Sequence, residues 1–76
     1  MAIRFILPEL SHVQTTIYDV AGRRVADLFD GTKDVGRHNA TWDGRNDRGE
    51  QVATGVYFVR MIAGDFTATR KIVLMK

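Results

Sequence analysis

The sequence predicts an all-β protein, a small antiparallel sandwich of six or seven short strands. Apolar residues recur at a spacing of two, as in Ile3, Phe5 and Leu7, which is the period of a strand with one buried face. Turn residues interrupt this alternation about every 8–12 residues, a spacing typical of sandwiches. No stretch of the 76 residues has the period of a long amphipathic helix.

The first half of the chain predicts three strands. The first covers 2–7 and ends at Pro8, because proline cannot donate to a strand ladder. The segment "HVQTTIYDV" at 12–20 is rich in β-branched residues and predicts the second strand. A turn follows, and "RRVADLFD" at 23–30 predicts the third strand, although it also fits a turn of helix.

The second half predicts three more strands joined by polar connections. Glycine punctuates each connection, which favours turns. Because the connection after the fourth strand is longer than usual, we expect a bulge or a short ladder within it. The predicted segments are a loop at 30–36, a strand at 37–42, a connection at 43–55, a strand at 56–63, a hairpin turn at 64–65 and a strand at 66–76.

Alternation within these strands also predicts the core. The last strand is ambiguous, because Arg70 shares its parity with apolar residues such as Ile72, so we expect a bulge near 70–71 that switches faces. The predicted core residues are Ile3, Phe5, Leu7, Val13, Ile17, Trp42, Tyr57, Val59 and Met61.

Size and composition argue against several functions. A chain of 76 residues predicts one domain over 1–76, with too thin a core for a deep substrate cavity. The net charge is only +2 and the signs are mixed along the chain, so we expect neither nucleic-acid binding nor membrane insertion. The absence of cysteine excludes disulfides and thiolate chemistry.

The charged cluster after Trp42 could be read as a calcium or hydrolytic site. A calcium loop would place an acidic or amide residue third and a glycine sixth, whereas counting from Asp43 gives Arg45 and Arg48 at these positions. Carboxylate pairs such as Asp43 with Asp47, or Asp47 with Glu50, lack the enclosing walls that would shift a pKa. Both readings are therefore weaker than a structural one.

No other residues form a recognisable catalytic frame. His12 and His38 fall on different predicted strands without a metal-binding spacing. Ser11, the only serine, lacks the surrounding glycines of a nucleophile elbow. We therefore predict that the domain is not an enzyme and uses no metal or cofactor.

The structural interpretation gives each residue of the cluster a local role. Trp42 can fill the core while its indole nitrogen reaches the surface. Asp43 and Gly44 predict a tight exit from the strand, and Gly49 closes a type I turn. Gly55 permits a sharp entry into the next strand.

Three segments together resemble a known family. They are "IYDVAGRRVADL", "GRHNATWDGRNDRGEQVATGVYFVRM" and "TRKIVLMK", and they resemble the immunoglobulin-like C-terminal modules of flagellar hook-capping (FlgD-type) proteins and type IX secretion sorting domains. The resemblance runs from about Ile3 to Lys76 and implies an immunoglobulin-like sandwich. The matching residues are Tyr18, Asp19, Gly22, Trp42, Asp43, Gly44, Gly49, Gly55 and Tyr57.

The resemblance implies an exported, non-catalytic module at the surface of a bacterium or outside it. The preferred implication is a sorting domain, because "GDFTATRKIVLMK" resembles that group; export machinery would read its tail, in which basic residues flank an apolar run. The hook-capping role is the alternative. As a hook-capping relative, it would brace an extracellular assembly through other domains of its parent; "WDGRNDRGEQVATGVY" resembles this group most, and the Asn-Pro element of the sorting group is absent. The tail residues are Arg70, Lys71, Ile72, Val73, Leu74 and Lys76.

Two further expectations concern partners. The strand at 56–63 is apolar on both faces apart from Arg60, so we expect a homodimer or an inter-domain contact through this strand or the next. A carbohydrate-binding sandwich is a weaker alternative, because Trp42 and Tyr57 are predicted to be buried rather than exposed for stacking.

Overall fold

The computed structural model describes residues 2–75, which form six strands and no helix. The all-β prediction is confirmed. The strands are β1 (Ala2–Leu7), β2 (Ser11–Tyr18), β3 (Arg24–Lys33), β4 (Gly36–Thr41), β5 (Gly55–Ala63) and β6 (Phe66–Leu74). Within this part of the chain there is no helix long and apolar enough to cross a membrane.

The strands form two antiparallel sheets that pack as a small immunoglobulin-like sandwich. The smaller sheet contains only β1 and β4, and the larger has the order β3-β2-β5-β6. A two-stranded sheet is narrower than a four-stranded one, since neighbouring strands lie about 4.8 Å apart. The smaller sheet therefore leaves part of the larger sheet's inner face uncovered.

The predicted loop at 30–36 is largely wrong, because β3 continues to Lys33 and β4 begins at Gly36. The polar residues of this segment pair with β2 up to Ser11 opposite Lys33. The ammonium group of Lys33 lies 4.3 Å from the ring centroid of Phe29, a cation–π contact that suits an exposed edge strand. Polarity at a sheet edge was thus mistaken for a loop.

The predicted bulge near 70–71 is also wrong. β5 and β6 pair without interruption, from Gly55 opposite Leu74 to Ala63 opposite Phe66. Arg70 lies opposite the buried Val59 and therefore on the inner face of the sheet. It is nevertheless exposed, because the narrow smaller sheet does not cover it. The register shifts occur instead between β2 and β3.

The core forms where the two sheets face each other. Two of the predicted core residues, Ile3 and Phe5, are half-buried and pack against it. Thr15 is also buried, at 1% exposure, and its hydroxyl has no hydrogen-bond partner among the described residues. The predicted core residues that are buried are Leu7, Val13, Ile17, Trp42, Tyr57, Val59 and Met61.

Candidate functional site

Trp42 anchors the charged connection between β4 and β5. Its side chain is 1% exposed and meets Tyr57 edge to face, with ring centroids 5.2 Å apart. The indole Nε1–H donates to the carbonyl of Arg45 at 2.9 Å, and the Tyr57 hydroxyl donates to the carbonyl of Ala53 at 2.6 Å. Both aromatic residues therefore bury their rings and hold the connection by their polar ends.

The connection folds as a short hairpin of its own, as the sequence predicted. Arg45 and Gln51 form an isolated antiparallel bridge. Inside the turn, Asn46 Oδ1 accepts the backbone N–H groups of Arg48 at 2.9 Å and Glu50 at 3.0 Å. The side chain of Asn46 thus holds the chain reversal in place.

Asp47 fastens this hairpin to the edge of the larger sheet. Its Oδ1 accepts the backbone N–H of Asp27 at 2.9 Å, and its backbone N–H donates to the carbonyl of Val25 at 3.3 Å. The guanidinium of Arg24 lies 3.7 Å from Asp47 Oδ2. The hairpin therefore covers β3 and satisfies backbone groups that an edge strand leaves open.

The other two carboxylates of the cluster also have structural partners. Asp43 Oδ1 accepts the backbone N–H of Arg45 at 3.1 Å, and Glu50 Oε1 accepts the amide of Asn46 at 3.3 Å. Between residues 2 and 75, no three His, Asp or Glu side chains gather as a metal site would require. The cluster is engaged in hydrogen bonds that shape the turn.

The turn between β2 and β3 is organised by Asp19. Its Oδ1 accepts the backbone N–H groups of Ala21 and Arg23, each at 2.9 Å, and its Oδ2 accepts Arg23 Nε–H at 3.2 Å. The backbone hydrogen bond from Arg23 is the main cause that lowers the pKa of Asp19 below 3.8. Gly22 donates to the Asp19 carbonyl at 3.0 Å, and Tyr18 at the end of β2 lies opposite Phe58.

Gly44 needs the conformational freedom of glycine. Its φ is +79°, a value that residues with a side chain rarely adopt. A Cβ added there would lie 3.0 Å from Gln51 Nε2 and 3.4 Å from the methyl groups of Leu74. Gly49 and Gly55, which the sequence singled out with it, also have positive φ. The Gly44 turn therefore places the connection directly against β6.

The tail residues that the structure describes lie on two faces of β6. Ile72 and Leu74 are half-buried and pack against the core, whereas Lys71 and Val73 are exposed on the opposite face. Arg70 lies on the inner face, beyond the cover of the smaller sheet. Lys76 lies outside the described residues.

A cleft of about 760 Å³ opens between the two sheets where the smaller sheet ends. It is lined by residues 3–6 of β1, 37–39 of β4, and Phe66, Ala68 and Arg70 of β6. Sequence reasoning missed this site, because alternation shows which face a residue occupies but not whether a second sheet covers it. The one indication in the sequence was that Arg70 alternates onto the same face of its strand as apolar residues.

The order of motifs and the two-sheet architecture agree with the result of a family comparison. The family model of the FlgD Ig-like domain matches residues 1–65. The chain belongs to this family. The matched residues of this Ig-like domain contain β1 to β5 and every residue of the motif pattern. No curated protein and no solved structure gives a significant match.

Proposed function

We propose that this Ig-like domain is a non-catalytic structural module that braces an exported bacterial assembly by contacts with neighbouring protein. The membership in the FlgD Ig-like family carries this proposal, since that domain is structural and belongs to flagellar hook-related, exported proteins. The module would contribute a rigid sandwich and exposed sheet edges rather than a reaction centre.

The hydrogen bonding of the charged cluster supports a structural role. Asp43, Asp47 and Glu50 each accept a hydrogen bond that shapes or fastens the hairpin. Trp42 and Tyr57 are buried, so they offer no stacking platform for a sugar.

The type IX sorting role, which the end of the sequence suggested first, has no support from the family match. The packing of β6 is a reason to place it second. Ile72 and Leu74 contribute to the core, so β6 is a closing strand of the sandwich, and a recognition role for it would compete with the fold.

A reporter export experiment distinguishes the two roles. Residues 1–76 are fused to the C-terminus of a secretable fluorescent protein and expressed in a bacterium that has type IX secretion. A structural module leaves the fusion inside the outer membrane, whereas a sorting domain places it on the surface or in the medium. A known sorting domain on the same reporter is the positive control.

Export of the intact fusion would overturn the structural proposal. The dependence on the tail is then measured with Lys71→Glu and Val73→Ser, which alter exposed residues of β6 and leave its packed face unchanged. Deleting the strand would be uninformative, because the loss of core residues would unfold the domain.

A further inference from the structure

The smaller sheet has an unpaired edge that faces the cleft. Among the strands that the structure describes, β1 is hydrogen-bonded only to β4, on one side. Since β4 contacts β3, at the far edge of the larger sheet, β1 lies toward β6. Packed sheets are about 10 Å apart and neighbouring strands about 4.8 Å. A strand added to β1 would therefore lie above the inner face of β6.

The walls of the cleft carry positive charge and apolar surface. Arg4, Arg37 and Arg70 line it, and no Asp or Glu is among its lining residues within 2–75. None of the three arginines forms an ion pair within the described chain, although other arginines of the domain do. Ile6 and Phe66 add exposed apolar side chains, 68% and 57% exposed. This combination fits a segment that is both apolar and acidic.

Thr15 is a buried polar residue in the wall of the cleft. It lines the cleft from β2, it is 1% exposed, and its hydroxyl is unpaired among the described residues. Buried hydroxyl groups nearly always have a partner, since an unpaired one is destabilising. The unpaired hydroxyl of Thr15 is therefore expected to lower the stability of the domain.

A second copy of the chain fits the cleft poorly. β6, an end strand of the larger sheet, carries Arg70 and Lys71, and β1 itself carries Arg4, so inserting either strand of a second copy beside Arg4 would bring like charges together. Like charges on neighbouring strands are destabilising. An acidic segment makes the opposite, favourable pairing.

We propose that the cleft binds an extended acidic segment of a partner protein, which adds a third strand to the smaller sheet at β1. Backbone hydrogen bonds to β1 would hold the segment. Its apolar side chains would alternate inward onto Phe66 and Ala68, and its carboxylates would face outward beside Arg4, with Arg37 on β4, the strand beyond β1. The inference rests on the proposed structural role and identifies the surface through which the domain would contact its neighbour.

The probe is a ten-residue peptide of alternating valine and glutamate with blocked ends; the control peptide alternates valine and lysine. Binding is followed by amide chemical shifts of the isotope-labelled 76-residue domain. We expect shifts for Ile3 to Leu7 and slower hydrogen exchange along β1 with the glutamate peptide only. Equal binding of both peptides, or no binding, would overturn the inference.

Two variants test the residues in the cleft. Arg4→Glu is expected to weaken the glutamate peptide about tenfold, while Arg60→Glu, a matched change on the opposite face of the larger sheet, leaves its affinity unchanged. Thr15→Val is expected to raise the unfolding midpoint of the free domain and to leave the affinity of the peptide unchanged. An equal effect of Arg4→Glu and Arg60→Glu would contradict the assigned surface.

The oligomeric state and the export result separate this inference from the proposed function. Self-association that Arg4→Glu or Phe66→Ser abolishes would assign the cleft to a second copy and overturn the inference. If the peptide does not bind and the reporter fusion is not exported, the inference about the cleft is overturned, whereas the proposed structural function is not.

Discussion

At the scale of single residues, Asp19 predicts a pH dependence of stability. Its hydrogen bonds, first of all from the Arg23 backbone, lower its pKa in the folded state below 3.8. A lowered pKa adds stability that is present above the unfolded value and is lost as the pH falls through the folded value. Below about pH 4 the domain should therefore lose the contribution of this carboxylate.

The variant Asp19→Asn measures this contribution. In urea unfolding it should be less stable than the unsubstituted domain at pH 7, and the difference should shrink as the pH falls below about 4. Asp65→Asn is the control, because Asp65 forms no hydrogen bond or ion pair between its side chain and the rest of residues 2–75. A difference for Asp19→Asn that stays constant with pH would contradict the assignment.

The Tyr57 hydroxyl gives a second prediction at this scale. It donates to the carbonyl of Ala53 at 2.6 Å from a largely buried ring. Tyr57→Phe should lower the free energy of unfolding by about 0.5–1.5 kcal/mol, the usual net value of one hydrogen bond. The Tyr18 hydroxyl has no hydrogen-bond partner within the described chain, so Tyr18→Phe should change the free energy of unfolding little. Equal losses of stability for the two variants in thermal unfolding would contradict the hydrogen bond from Tyr57 to Ala53.

At the scale of elements, β6 is predicted to act as a closing strand. Ile72 and Leu74 pack against the core from one face, and Val73 is 49% exposed on the other. Ile72→Ala and Leu74→Ala should each cost about 1–3 kcal/mol, less than full burial would give. Val73→Ala should stay within about 0.5 kcal/mol. Chemical unfolding that ranks Val73 with the other two would show that β6 is not packed as described.

At the scale of the whole molecule, the homodimer stays a prediction. Its basis was the apolar outer face of β5, where Val56, Phe58 and Ile62 are half-buried in the isolated domain. Sedimentation at about 0.1–1 mM should detect a dimer that Phe58→Glu dissociates. Phe66→Glu, on the inner face, is the control and should leave it intact; a monomer throughout this range would refute the prediction.

The sequence by itself determined the strands and most of the core. Alternation at a period of two is local information, so it located β1, β2 and β5 and the burial of Trp42 and Tyr57. The same holds for the turns at Asp19 and Gly44, whose roles depend on hydrogen bonds and φ angles within a few residues.

Only the tertiary structure decided which faces are covered. Local alternation could not show that the polar end of β3 pairs with β2, nor that Asp47 reaches across to Asp27. Alternation placed Arg70 on the inner face, and since an inward position was assumed to be buried, the sequence predicted a bulge that would move this charge to the outer face. The smaller sheet has two strands, and its width, which no local pattern encodes, leaves Arg70 in an open cleft. How much of one sheet's inner face is buried depends on the number of strands in the opposite sheet, and these strands come from distant parts of the chain.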